Sequence, residues 1–198
     1  TGERFSFYSP QVGQAVAPGD MFAVDQSDKS QWSARYFIDI NGKEFALYGY
    51  KGFWNTPQGI DANSNTYFPE LNAFGASVRA PLGEGIVNAE FSNYVSTQDT
   101  DGDNALVANG QFRFLIGYEK EATKNLTIAG QFYVEKTRNY DAFLSSHPHP
   151  EQIVDEHRQL ITARVTHLAM QQKLRTSLFA FYSPTDKDNY LKFSIHYQ

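Results

Sequence analysis

Hydrophobic and polar residues alternate with a period of two along most of the chain, which is the pattern of β-strands with two different faces. In segment 126–135 (LTIAGQFYVE), Ile128 and Phe132 fall on one face and Gln131 and Glu135 on the other. The same alternation occurs in segments 32–41, 88–95, 112–119, 161–166 and 191–197, and less cleanly in 43–54, 70–80 and 173–183. The sequence therefore predicts about nine strands of about 9–12 residues, with an extra one at 4–8.

The connections between these segments alternate between short and long. The short ones are the Asn41-Gly42 hairpin turn and segments 81–85, 122–125 and 169–172. Longer links at 55–69, 98–108 and 139–155 lie between them, although 184–188 is brief where a long link is expected. Short turns at one end and longer loops at the other are typical of a transmembrane barrel. We predict one all-β domain over 1–198, an antiparallel up-and-down transmembrane β-barrel of about 9–10 strands.

Alternation alone does not say which face points outward, because a soluble lipocalin-like barrel and a membrane barrel produce similar patterns. Three features favour the membrane. The strands match the ~9–11 residues that a tilted strand needs to cross a bilayer. The apolar faces are nearly free of charge, with Lys51, Lys136 and His167 at segment ends. Aromatic residues such as Trp54 and Tyr197 crowd those ends, as in interfacial girdles.

Composition narrows the class of protein further. The 12 Tyr, 16 Phe and 2 Trp residues of this 198-residue chain favour β-structure. A net charge of −5 argues against a general nucleic-acid partner. The absence of cysteine excludes disulfide scaffolds, Cys-ligated zinc and a Cys nucleophile. No apolar run reaches the ~20 residues of a transmembrane helix.

Several stretches resemble porin-like outer-membrane proteins of Gram-negative bacteria. They are 46–57 (ALYGYKGFWNTP), 67–71 (YFPEL), 75–79 (GASVR), 115–119 (LIGYE) and 179–186 (FAFYSPTD). The resemblance implies an integral protein of the bacterial outer membrane, in contact with the lipid bilayer and lipopolysaccharide. Porin-like proteins are longer and finish in a terminal aromatic strand, whereas this chain stops at Gln198 within a predicted strand. We therefore expect the chain to be part of a larger barrel.

In a barrel with its apolar face outward, the polar face would line the lumen. The charged and polar residues expected there are Arg35, Asp39, Arg79, Glu90, Arg113, Glu119, Gln131, Glu135, Arg164, Arg175 and Lys192. A row of arginines would favour anions in such a channel. Alternatively, arginines and carboxylates pair across neighbouring strands and hold the wall together.

These observations predict a porin-like channel for the passive diffusion of small hydrophilic, in part anionic, solutes. Two alternatives stay open: a soluble lipocalin-like carrier of a small apolar ligand, and an outer-membrane barrel that anchors or bridges partners. A homo-oligomer or an envelope partner protein is compatible with either membrane hypothesis. We expect no enzyme activity, because the chain lacks a Gly-x-Ser-x-Gly elbow and a phosphate-binding glycine loop.

One segment has the spacing of a metal site. Asp99, Asp101 and Asp103 match the first carboxylates of a calcium loop, but Asn104 and Gly110 stand where an EF-hand needs Gly and Glu. A looser calcium site or a solvated acidic turn remains as an interpretation, and no other cofactor is expected. Two weaker groupings are His147 with His149 as metal ligands, and Ser145, Ser146, Asp155 and His157 as rim catalytic residues.

Overall fold

The computed structural model describes residues 7–9, 14–16, 24–25, 29–62, 65–147 and 155–198. Within them, strands β1 (Phe7–Ser9) and β2 (Gln14–Val16) form an antiparallel pair. Most of the strand predicted at 4–8 lies outside the described residues, as does His149. Strands β3 (Val24–Asp25), β6 (Gly59–Ile60) and β7 (Thr66–Tyr67) form a second small sheet.

The main element is one nine-stranded antiparallel sheet whose strands are arranged in chain order, with β6 and β7 of the small sheet falling between its second and third strands in the sequence. Its strands are β4 (Trp32–Ile40), β5 (Lys43–Phe53), β8 (Glu70–Leu82), β9 (Gly85–Ser96), β10 (Gln111–Thr123), β11 (Leu126–Thr137), β12 (His157–Ala169), β13 (Leu174–Ser183) and β14 (Asp188–Tyr197). Each corresponds to one predicted segment, so the all-β class and the up-and-down antiparallel order are confirmed. Three of the strands reach 13 residues, one more than expected.

The sheet is open. β4 and β14 are its two edges, and each pairs with a single neighbour in the sheet, β5 and β13 respectively. The structure thus establishes the sheet and not a closed barrel. The only helix in the described residues, α1 (Tyr140–Ser146), lies in the connection between β11 and β12.

The turns form where the sequence supplies residues that tolerate a left-handed backbone. Asn41 and Gly42, with φ of 54° and 73°, close the β4–β5 hairpin as an Asn-Gly turn does. The β12–β13 turn is less favourable, since Met170, Gln171 and Gln172 all have positive φ, at 51°, 57° and 70°.

Most buried residues lie at the end of the sheet that carries the long connections, whereas Ala46 and Gly117 are buried within strands. Trp54, Val107 and Asn109 are buried there. The connections bond to each other: Ile60 N donates to Leu106 O at 2.9 Å, and Asn109 Nδ2 donates to Arg138 O at 2.7 Å. The long connections therefore pack together as a folded layer, whereas most large apolar side chains along the strands stay exposed.

Candidate functional site

The strand register assigns every side chain of the sheet to one of two faces, because directly opposed residues of antiparallel neighbours point the same way. Phe114 is opposite Phe91 on β9 and Val134 on β11. The next residue, Arg113, is opposite Ser92 and Glu135. Following these pairings from β4 to β14 separates an apolar face, which contains Phe114, from a polar face, which contains Arg113.

The apolar face has no Asp, Glu, Lys, Arg or His side chain through its middle. It includes Ile38, Leu47, Val78, Ala89, Ile116, Phe132, Ile161, Leu178 and Phe193. Its Asp, Glu, Lys, Arg and His residues lie within four positions of a strand end: Lys43, Lys51, Glu70, Lys120, Lys136, His157 and His167. Many of its side chains face solvent, for example Ile116 at 42% and Phe193 at 65% exposure.

The polar face carries all the residues predicted to line a lumen. The register places Arg35, Asp39, Arg79, Glu90, Arg113, Glu119, Gln131, Glu135, Arg164, Arg175 and Lys192 there together. The same face holds residues that the sequence reasoning did not single out: Glu44, Tyr48, Tyr50, Tyr94, Glu121, Tyr133, Arg158 and Asp188. The sequence pattern could have located these residues, because the four tyrosines in this list occupy polar positions of the alternating pattern.

Arg113 is the centre of a bonded group on β9, β10 and β11. Its Nε lies 3.2 Å from Glu135 Oε2, and its Nη2 donates to Gln111 Oε1 at 2.6 Å. Its guanidinium stands 4.1 Å from the centre of the Tyr94 ring. The Tyr133 hydroxyl donates to Glu135 Oε2 at 2.9 Å. This group borders a hollow of about 420 Å³ on the sheet.

Two further arginines are also paired. Arg35 Nη2 lies 2.7 Å from Glu44 Oε1 on the adjacent strand. Arg158 Nε lies 2.9 Å from Asp186 Oδ2 in the β13–β14 turn, and this bond, together with the Ser183 hydroxyl, lowers the pKa of Asp186. For Arg35 and Arg113, the cross-strand pairing interpretation therefore holds.

The other predicted charges make no ion pair within the described residues. These are Asp39, Arg79, Glu90, Glu119, Arg164, Arg175 and Lys192. Asp39 instead accepts a hydrogen bond from Gly42 N at 3.0 Å and supports the hairpin. The polar face thus combines cross-strand ion pairs with charges that make no ion pair among the described residues.

The acidic segment after β9 is a turn built around Asp99, which is buried. Its Oδ1 accepts hydrogen bonds from Gly102 N at 2.9 Å and Asp103 N at 3.2 Å, and its Oδ2 from Asn104 N at 3.2 Å. Asp101 and Asp103 are exposed. The described residues contain no group of three or more His, Cys, Asp or Glu side chains placed to hold a metal ion. The calcium site remains a prediction that this geometry does not support.

The hydroxyls considered for catalysis bond within helix α1. Ser145 Oγ donates to Asp141 O at 2.7 Å, and Ser146 Oγ donates to Phe143 O at 2.9 Å. His157 lies 3.6 Å from Glu156 through its Nδ1, without a bond to either serine. These contacts do not assemble a nucleophile with a base.

Comparison of the chain with family models, curated proteins and solved structures finds no match. Among the described residues, no helix has the length and hydropathy needed to cross a membrane.

Proposed function

We propose that this protein is an integral outer-membrane β-barrel protein that acts as a porin-like channel for small hydrophilic solutes. The apolar face would contact lipid and the polar face would line water. The observation that carries the proposal is the charge-free middle of the apolar face, set against a polar face that holds the unpaired charges.

The exposure of the apolar side chains supports a lipid environment. Phe114, Leu178 and Leu191 are all exposed on this face, and Leu191 is 68% exposed. Soluble proteins rarely leave apolar patches larger than a few hundred Å² in water. A bilayer would cover this face at a gain of roughly 25 cal/mol per Å².

The ends of the apolar face support the same environment. Trp32 and Tyr182 lie at the long-connection end, and Tyr118 and Tyr197 lie toward the short-turn end. Aromatic rings are favoured at both bilayer interfaces, where an apolar ring and a polar tip each find a partner. Strands of 9–13 residues are long enough to join these two levels.

A channel requires that the two edges of the sheet be paired. An unpaired edge in hydrocarbon leaves backbone N–H and C=O groups without partners, at several kcal/mol each. We therefore propose that β4 and β14 pair with further strands and that the sheet described here is part of a larger closed barrel. The polar face would then enclose the path of the solute.

The test compares boiled and unboiled samples of the membrane-extracted protein on detergent gels and then records conductance in planar bilayers. We expect a shift in migration on boiling and stepwise ion conductance. Extraction into the aqueous fraction with no shift would overturn the membrane assignment and favour the soluble carrier. A heat shift without conductance would reject the channel and favour an anchoring barrel.

A further inference from the structure

The cations of the polar face divide into paired and unpaired groups. Arg35 and Arg113 each have a carboxylate partner on a neighbouring strand. Arg164, Arg175 and Lys192, which we call the cation cluster, make no ion pair with any described residue. Unpaired cations that share one surface repel each other, and an anion bound between them would offset this repulsion.

The register brings the cation cluster onto one patch of strands β12, β13 and β14. The patch has three cross-strand rows: Arg164–Phe179–Lys192, Thr166–Ser177–Ser194 and Leu168–Arg175–His196. The three cations line a single hollow of about 370 Å³, together with Ser177, Phe179, Tyr190 and Ser194.

Hydroxyl groups lie between the cations. Ser177 Oγ and Ser194 Oγ are 2.7 Å apart, so one donates to the other and the second can turn its hydrogen outward. The Phe179 ring lies 5.7 Å from the guanidinium carbon of Arg164 and helps to hold that side chain over the hollow. The hollow thus offers guanidinium, ammonium and hydroxyl donors on one wall.

No carboxylate is among the residues that line this hollow. Glu119 is opposite Ala129, and Ala129 is opposite Arg164, so Glu119 is two strands away in the same row. Asp188, also on β14, is four residues along the strand from Lys192. On β12–β14 the polar face carries Arg158, Arg164, Arg175 and Lys192. Arg158 is paired with Asp186, so Arg164, Arg175 and Lys192 face one further carboxylate, Asp188, and this part of the face stays positive.

We propose that the cation cluster, with Ser177 and Ser194, binds a soluble oxyanion, a phosphate or carboxylate group. Guanidinium groups present paired donors that match such oxygens, and an ammonium adds a point charge. That the anion arrives through a water-filled lumen rests on the proposed function. Binding itself requires only the described patch.

The test is isothermal titration of the folded, detergent-solubilised full chain with inorganic phosphate. Arg164→Gln and Lys192→Gln each remove one charge-assisted contact and are expected to weaken binding by about tenfold. The matched control is Arg35→Gln, which removes an equal charge from the same face at a site already paired with Glu44. We expect this control to bind phosphate within about twofold of the wild type. The heat shift on gels verifies that each variant is folded.

The outcomes separate this inference from the channel proposal. Conductance without measurable phosphate binding would overturn the oxyanion site and leave the channel standing. Phosphate binding without conductance would reject the channel and keep the site. If Arg35→Gln weakened phosphate binding as much as Arg164→Gln does, phosphate would be responding to the overall positive potential of the polar face. That result would also overturn the oxyanion site. Zwitterionic lipid in the bilayers and uncharged detergent in the titration keep anionic headgroups away.

Discussion

At the scale of single residues, the polar face contains two kinds of charge that the sequence cannot tell apart. Arg113 and Arg79 both occupy polar positions of their strands. The structure gives Arg113 a carboxylate, an amide oxygen and an aromatic ring, whereas Arg79 is exposed and makes no ion pair within the described residues. Their removal should therefore have different consequences.

We predict that Arg113→Gln lowers the free energy of unfolding by about 1–2 kcal/mol, because it leaves the partly buried Glu135 carboxylate without its cation. Arg79→Gln is the matched control and should cost less than about 0.5 kcal/mol. Urea unfolding of the detergent-solubilised protein measures both. Equal losses in the two variants would contradict a specific role for the Arg113 pair.

The Asp186 carboxylate gives a pH dependence with a defined sign. Its pKa is lowered first by the hydrogen bond from Arg158 and then by that from Ser183. A carboxyl whose folded pKa is depressed contributes stability that is fully present above its unfolded pKa, about 3.9. That contribution is lost as pH falls through the lower folded value.

We expect Asp186→Asn to reduce this acid-side loss, so the stability difference between variant and wild type shrinks below about pH 4. Asp188→Asn, in the first position of β14, removes a carboxylate with no ion pair to a described residue and serves as the control. The measurement is the urea midpoint across an acid pH series. A difference that stays constant with pH would contradict the assignment.

At the scale of elements, the hairpins were the most predictable part of the chain. Period-two alternation locates a strand directly, and Asn41-Gly42 closes a hairpin by local backbone preference. The face of each lumen candidate followed from the same alternation. The alternation does not tell which arginine is paired, because cross-strand bonds such as Arg113–Glu135 depend on register and rotamer. The packing of the long connections also depends on non-local contacts such as Ile60 with Leu106.

The β12–β13 turn gives a test at this scale. Its successive left-handed residues include Gln171 at φ 57°, a conformation that costs side-chain-bearing residues roughly 1–2 kcal/mol. Gln171→Gly should relieve this backbone strain, and the relief should exceed the ~0.5–1 kcal/mol that glycine costs in chain entropy. We expect a net gain of up to about 1 kcal/mol in unfolding free energy. The control is Lys173→Gly in the same turn. Lys173 is not among the residues with positive φ, so glycine at this position should lower the free energy of unfolding. A lower free energy of unfolding in Gln171→Gly would contradict the claim that the backbone at Gln171 is strained.

At the scale of the whole molecule, the two faces define the environment that the sheet needs. A soluble carrier would have to cover Phe132 with protein, whereas a membrane barrel covers it with lipid. Gln131, its neighbour, lies on the opposite face. Because the chain has no cysteine, single reporters can be placed at either position without removing a native thiol.

We predict that a fluorophore attached to Phe132→Cys in proteoliposomes is quenched by lipids that carry spin labels in their acyl chains. The same fluorophore at Gln131→Cys should escape these lipids and respond to a water-soluble quencher instead. The reason is that adjacent residues of a strand point to opposite faces, so one substitution serves as the control for the other. Lipid quenching at Gln131→Cys alone would reverse the orientation of the sheet. Accessibility to the aqueous quencher at both positions would mean that neither face contacts lipid and would contradict the membrane assignment. Protection of Phe132→Cys from both quenchers would place it in a protein pocket and favour the carrier.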